Sequence, residues 1–553
     1  MRTLAGAVVG VLCLVASAYG QSPAFTLNKL LLTGDLLPSG ERVDEIGAYV
    51  DAFNPDPFDG APELSDQGGA SVVVLLGGDG NRATRDSTGS GVWRWTPSGA
   101  SIVTRTGEVA PGTTARTFLG FPQLFAATPF DTVDGVAFPG TVDSADGAGR
   151  TGLWSSRSGD LHKVLLEGEP LPGTPAGSTA SGFAFVGRES SIVVDAAWCE
   201  ASGCSLNFEG LFRDRDGIFA PVVLGGEPAP GMPRGVVFGD SGNASANTGP
   251  IDVWNASPAG RVIFTGVVVG PRIGEKNNEA LWVEGVSGLT LLAREGEKVP
   301  GKPGYTWGSA TGFRSFGDFT VMRAHILTRS GAALWGASVN TRKYNRLGGV
   351  WTTRSGAIVQ LVQTVFLFST ASSEPPQTLA SPAPGFGDGF RFRQVFSGRM
   401  NDAGEVYLDA DVVHEDQPTG PVGSGIFRIP SNSSAIELLA RRGGPVPDVP
   451  GAVFAEIAIG RLFDTGHYIW TARLAGDGVT SANDLGAFVT HGGVTNLLFR
   501  SGDALDVSGN GTDVRTIASF HAASDPRPAG APVRQVFEVL FTDGSAGIFL
   551  LTM

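Results

Sequence analysis

Leu291-Leu-Ala-Arg294-Glu-Gly296-Glu297, followed by Pro300-Gly301, is the stretch from which the fold can be read. A short apolar run ends in glycine and an acid, and a Pro-Gly pair follows, which is the pattern of a strand stopping at a turn. The string recurs along the chain. Copies are Leu30-Leu-Leu-Thr-Gly34-Asp35, Val103-Thr-Arg-Thr-Gly107-Glu108 with Pro111-Gly112, Leu165-Leu-Glu-Gly168-Glu169 with Pro172-Gly173, and Gly226-Glu227 with Pro230-Gly231. Two later copies are Leu438-Leu-Ala-Arg-Arg-Gly443 with Pro450-Gly451, and Leu497-Leu-Phe-Arg-Ser-Gly502-Asp503. One unit is degenerate, with only Pro384-Gly385 surviving after Val359.

A second string precedes each of these strands. It is Gly or Ala, an aliphatic residue or Ala, then an aromatic: Gly91-Val-Trp93, Gly152-Leu-Trp154, Gly210-Leu-Phe212, Ala280-Leu-Trp282, Gly349-Val-Trp351, Gly425-Ile-Phe427, Gly486-Ala-Phe488 and Gly547-Ile-Phe549. A third apolar strand lies before it, as in Ile192-Val-Val194 and Val262-Ile-Phe264, and a looser fourth follows each Pro-Gly, as in Phe390-Arg-Phe392. Each unit therefore reads as four strands, and repeated four-stranded units predict an all-β, closed β-propeller with eight blades. The chain enters at a final strand (Leu30 to Thr33) and stops at a third strand (Gly547 to Phe549), so the N-terminal strand is expected to complete the last blade. Closure of that kind removes the open edges a linear array would leave; no polar caps suited to a solenoid are evident.

The whole is expected to be one domain, residues 21–553, behind a secretion signal at 1–20. Arg2 supplies the charge, Leu4 to Val15 the apolar stretch, and Ala16 to Gly20 the small residues for cleavage. Export to the periplasm or beyond follows, with no membrane span. Cys13 leaves with the signal, so Cys199 and Cys204 remain and are expected to form a local disulfide in an oxidising compartment. Two thiolates without His partners make only half a zinc site. The net charge of −14 excludes a nucleic-acid partner, which needs clustered Lys and Arg. A monomer is expected.

The repeat resembles a family of secreted bacterial tandem-repeat proteins marked by Asn-x-x-Gly-x-x-Ala-Phe. Asn401-Asp-Ala-Gly404-Glu-Val406 fits it, with Tyr407 and Leu408 in place of Ala and Phe, and Gly260-Arg-Val-Ile-Phe264 and Gly135-Val-Ala-Phe138 are partial copies. The resemblance implies a propeller-like fold and carries over no catalytic residue, because the family is functionally uncharacterised.

No reaction motif stands out. Gly239-Asp-Ser-Gly242 resembles part of a serine-protease string but lacks a His-bearing partner and reads as a turn. Six histidines are scattered singly. The repeated acids Asp35, Glu108, Glu169, Glu227, Glu297 and Asp503 begin the turn between units. Each is read as a turn acid bonding backbone N–H groups or pairing with the Arg three residues before; the alternative is a carboxylate ring for a hard cation such as calcium. No other cofactor is implied. The long polar loops between second and third strands share the face of those turns, and loops on a rigid scaffold are where binding sits. Arg342, Lys343, Tyr344, His414 and Glu415 are the candidate ligand contacts there. The expected function is a non-catalytic extracellular module binding a glycan, peptide or protein on that face. The alternatives are a carbohydrate-active lyase or hydrolase with funnel carboxylates, and a structural cell-surface protein.

Overall fold

A computed structural model of the chain describes residues 25–35 (except 33), 43–46, 63–64, 70–76, 90–96, 99–121, 128–129, 135–143, 149–188, 191–200, 203–239 (except 216), 251–308, 326–341, 347–365, 379–417, 423–522 (except 459) and 533–553. The expected signal segment 1–20, the candidates Arg342, Lys343 and Tyr344, and residues 240–242 of the Gly239 string lie outside the described residues. Among the described residues the elements are strands, and no helix is long and apolar enough to cross a membrane.

Strand pairing groups these strands into eight sheets of four or five strands. They are numbered I to VIII in chain order, each identified by the aromatic of its third strand: Trp93, Trp154, Phe212, Trp282, Trp351, Phe427, Phe488 and Phe549. The N-terminal strand Thr26–Leu32 pairs antiparallel with Ala546–Thr552 of sheet VIII, placing Thr26 opposite Thr552 and Leu32 opposite Gly547. Buried apolar clusters join each sheet to the next from I through VIII, and strand Arg534–Phe541 of sheet VIII meets strand Glu63–Leu64 of sheet I. The architecture is an all-β propeller, as the repeat predicts.

The Gly-x-aromatic string has a local cause. In every sheet the register between third and fourth strands slips at the aromatic, a β-bulge that turns its ring into the core. In sheets I, II, V, VII and VIII the ring then lies over the glycine two before it, and in sheets III and VI that glycine is instead hemmed in by the fourth strand's backbone. A Cβ at Gly210 would come within 2.7 Å of the Val223 carbonyl, and one at Gly486 within 2.7 Å of the Phe488 ring. All eight aromatics are at most 1 % exposed. Five of them meet an aromatic of the first strand at close range: Phe118–Trp154, Phe238–Trp282, Trp307–Trp351, Phe392–Phe427 and Phe454–Phe488 have ring centroids 4.7–5.3 Å apart at 63–71°. Edge-to-face geometry of this kind adds about 0.5–1.5 kcal/mol per pair beyond the area buried.

The same first-strand residue is gripped through its backbone by the Gly-acid turn of the preceding sheet. Gly296 N–H donates to the Trp307 carbonyl at 2.9 Å, and Trp307 N–H donates back to the Glu297 carbonyl at 2.8 Å. Val43, Phe118, Ala180, Phe238, Phe454 and Ile517 make the same two bonds with Gly34-Asp35, Gly107-Glu108, Gly168-Glu169, Gly226-Glu227, Gly443-Gly444 and Gly502-Asp503, at 2.8–3.0 Å. Each glycine holds a φ between 74° and 90°, a conformation costly for any residue with a Cβ. The degenerate unit is repaired across an insertion. Phe392 N–H donates to the Ser381 carbonyl at 3.0 Å, and the Ser381 hydroxyl accepts from Gln363 N–H at 2.9 Å, as the turn carboxylates do elsewhere.

If the grip is a backbone device, Gly296→Val should lower stability by about 1–3 kcal/mol through the forced φ. Glu297→Ala, which removes a largely solvated side chain, should cost no more than about 1 kcal/mol. Melting temperatures of the two variants check the order.

Candidate functional site

The turn acids are not gathered into one centre. Each ends a different sheet and is engaged locally. Asp35 and Asp503 carboxylates accept from Leu32 and Arg500 N–H at 2.8 Å, and Glu108 and Glu227 from Arg105 and Leu224 N–H at 3.2 Å. Glu169 pairs with Lys163 at 2.6 Å, and Glu297 lies 3.7 Å from Arg294. Among the described residues no group of three or more His, Cys, Asp or Glu is placed to hold a metal ion. Cys199 is disulfide-bonded. Cys204 stands on the partner strand, one residue beyond the Glu200–Gly203 pair, with its side chain outside the described ones.

The face carrying the turns also carries the loops between second and third strands, and the two touch. Asp143 N–H donates to Thr117 O, Glu415 N–H to Gly389 O and Asp477 N–H to Gly451 O, at 2.8–3.2 Å. Two of these loops are built alike. In 270–278 the Asn277 carbonyl accepts from Gly274 N–H and its amide donates to Arg272 O; in 476–484 Asn483 does the same with Thr480 and Gly478.

Sheet VI gathers the largest share of chemistry on this face. Its strands are Phe390–Met400, Val406–His414, Gly423–Ile429 and Glu437–Arg441. The turn before Val406 is closed by Asn401, whose side-chain carbonyl accepts from Glu405 N–H at 2.9 Å, with Gly404 at φ +80°. His414 and Glu415, adjacent in sequence, fall on opposite sides of the sheet, as alternation requires. The His414 ring stands edge-on to Phe390 at 5.2 Å, toward sheet V, whereas Glu415 takes Arg391 at 2.8 Å. Beside them the connection 382–391 and Ile436 enclose a groove of about 770 Å³. The Phe386 ring packs against Phe427, with the Arg441 guanidinium 5.6 Å from it and donating to Gly385 O at 3.1 Å.

Asp409 and Asp411, which the sequence reading passed over, lie on the side of sheet VI facing sheet VII. Both keep some contact with solvent yet sit deep. Burial, with the Asp411 charge beside it, pushes Asp409 up to about 7. Burial lifts Asp411 to about 6 against the pull of Arg393 and Arg442. The position of Asp409 recurs: it is the second-strand residue opposite the one before the core aromatic. Asp195 (opposite Leu211) and Glu538 (opposite Ile548) occupy it in sheets III and VIII, and Thr265 and Thr471 in IV and VII. Burial and then Glu209 hold Asp195 well above the carboxylate range, although the Trp254 indole N–H donates to it at 3.1 Å. Burial alone brings Glu538 to about 8. The signal was available as the residue following each apolar second-strand run, in Val194-Asp195, Leu408-Asp409 and Phe537-Glu538.

The model of a family of unknown function, DUF7453, matches residues 52–251 and 340–553. No curated protein matches. Among solved structures the chain is similar to the β-propeller domain of the Trilobed protease from Pyrococcus furiosus, with 8 % identity, 82 % of this chain and 97 % of that one covered, and a TM-score of 0.34. It is also similar to the Dos1 propeller (8 %, 90 % and 93 %, TM-score 0.33) and to the polysaccharide lyase Uly1 (7 %, 95 % and 97 %, TM-score 0.29). At such scores the likeness carries no argument about function.

Gly389 has φ +78°, and a Cβ there would come within 2.7 Å of His414 Nε2. Gly389→Ala is therefore expected to push the His414 ring off Phe390 and to cost about 1–3 kcal/mol. The imidazole resonances in NMR and the melting temperature check both effects.

Proposed function

Because the chain belongs to the family of unknown function DUF7453, whose description assigns no chemistry, we propose from its geometry that it is a non-catalytic binding module whose ligand is a glycan. The groove beside sheet VI carries this reading. Its wall is largely Pro and Gly backbone, Phe390 and Ile436 offer apolar surface, and the Arg391–Glu415 pair and Asp388 supply polar groups at the edge. A concave site with apolar surface and a few fixed polar groups suits a sugar ring, which has an apolar face and a rim of hydroxyls. The rest of the reading goes with it. The protein is exported after loss of residues 1–20 and acts outside the cytoplasm as a monomer. The eight sheets are the blades of one ring, fastened by strand Thr26–Leu32, and Cys204 is the partner of Cys199. The acids Asp35, Glu108, Glu169, Glu227, Glu297 and Asp503 shape turns rather than hold calcium, since each has its own local donor.

Melting of the intact chain against soluble oligosaccharides tests the reading, with calcium and chelator as further arms. A ligand at a hundredfold excess over its Kd adds about 2.7 kcal/mol. A shift with one oligosaccharide that is lost in Arg391→Ala is expected; a shift with calcium alone would move the reading to the turn acids.

A hydrolase is the second reading, and Asp409 with Asp411 favours it. Two residues apart on one strand face, their side chains start about 7 Å from each other and point the same way. Near pH 6.5 Asp409 would be the proton donor and Asp411 the base. Release of reducing ends from polysaccharides, abolished by Asp409→Asn, is the result that would install this reading over the first.

A further inference from the structure

One rung of the repeat carries carboxyl groups in three sheets that are far apart along the chain. Asp195, Asp409 and Glu538 each stand on the second strand, opposite the residue that precedes the core aromatic, and each points to the side of the next sheet. In sheets IV and VII the same rung holds Thr265 and Thr471, so polarity, without charge, suits the position. The surroundings are poor in compensating cations. Asp195 meets the Glu209 carboxyl on its neighbouring strand and the Trp254 indole of sheet IV. Asp409 is flanked by Asp411, which takes the influence of Arg393 and Arg442, and faces Tyr468 of sheet VII, near which Arg399 lies. Glu538 is directly opposite His521, whose own charge is opposed first by burial and then by Arg461.

We propose that these three carboxyls are neutral fasteners between neighbouring sheets, so that the propeller is tightest in mildly acidic solution and loosens as they ionise. A carboxylic acid can stay buried at little cost, whereas a carboxylate in the same crevice is uncompensated. The sign follows from linkage. A carboxyl whose folded pKa lies above its unfolded value gives stability that is complete below the unfolded pKa and is lost as pH rises through the folded one. For Glu538, near 8 in the fold, and Asp409, near 7, that window runs from weak acid to weak alkali. Glu295, lifted by burial to about 7, adds to the same slope. His467 and His521, both depressed by burial, act in the opposite direction and only toward the acid end.

The test uses the intact chain and its double variant Asp195→Asn with Glu538→Gln, melted at pH 5.5 and pH 8.5. Asp409 is left in place because the second functional reading would use it. The wild type is expected to melt about 5 °C lower at pH 8.5. The variant should melt with the wild type at pH 5.5, since an amide mimics the neutral acid, and should lose at least half of the fall. Glu538→Gln alone makes the same test at one sheet should the double variant not fold. A wild type equally stable at both pH values, or a variant that keeps the whole fall, overturns the proposal; neither outcome bears on whether the groove binds a glycan.

Discussion

The structure depends on one reciprocal pair of backbone hydrogen bonds, repeated between consecutive sheets. A glycine amide at the end of one sheet donates to a residue that opens the next, and that residue donates back to the carbonyl of the acid after the glycine. The pair fixes where the next first strand begins, and hence the register of the sheet that follows. It also explains why the glycine is kept at Gly443 although Gly444 replaces the acid there, and why the eighth such connection, at Ser381, which keeps the bond from Phe392 N–H, tolerates the loss of the glycine-acid string. The backbone carbonyl that accepts from the first-strand residue is the part common to all, supplied by Gly444 as well as by aspartate, glutamate and serine.

Gripped in place, the first-strand residue presents its side chain to the aromatic of the third strand. Phe118, Phe238, Trp307, Phe392 and Phe454 thereby meet Trp154, Trp282, Trp351, Phe427 and Phe488 edge-on inside each sheet's contact with its neighbour. The bulge that swings the aromatic inward goes with a small residue two positions earlier, glycine in seven sheets and Ala280 in sheet IV. Backbone grip, bulge and aromatic contact are thus successive consequences of one spacing. A scaffold built this way leaves the turn face free to vary, and at sheet VI that face carries the groove.

Much of this was legible in the sequence because it rests on residues with few substitutes. Glycine at positive φ and glycine under an aromatic ring leave a mark that repeats, and the N-terminal strand could be matched to the last unit by counting. What could not be read was register. Ser381 sits 18 residues after Gln363, whereas the acids sit three after their counterparts, so the repair was hidden by an insertion. The acid rung of Asp195, Asp409 and Glu538 becomes a rung only when second and third strands are paired. His414 and Glu415 read as neighbours in one candidate site, yet strand alternation sends them to opposite sides of sheet VI. The turn acids read as separate caps, with a cation ring as the alternative, and each has its own local donor.

Native-state hydrogen exchange is the measurement that reaches the central claim most directly. The amides of Phe118, Ala180, Phe238, Trp307, Phe392, Phe454 and Ile517 should be among the slowest in the chain, and Phe392, held by Ser381, should be as protected as the other six. Fast exchange at these seven amides, while the sheet interiors stay protected, would contradict the account, because the sheets would then be holding their register without the bonds said to set it.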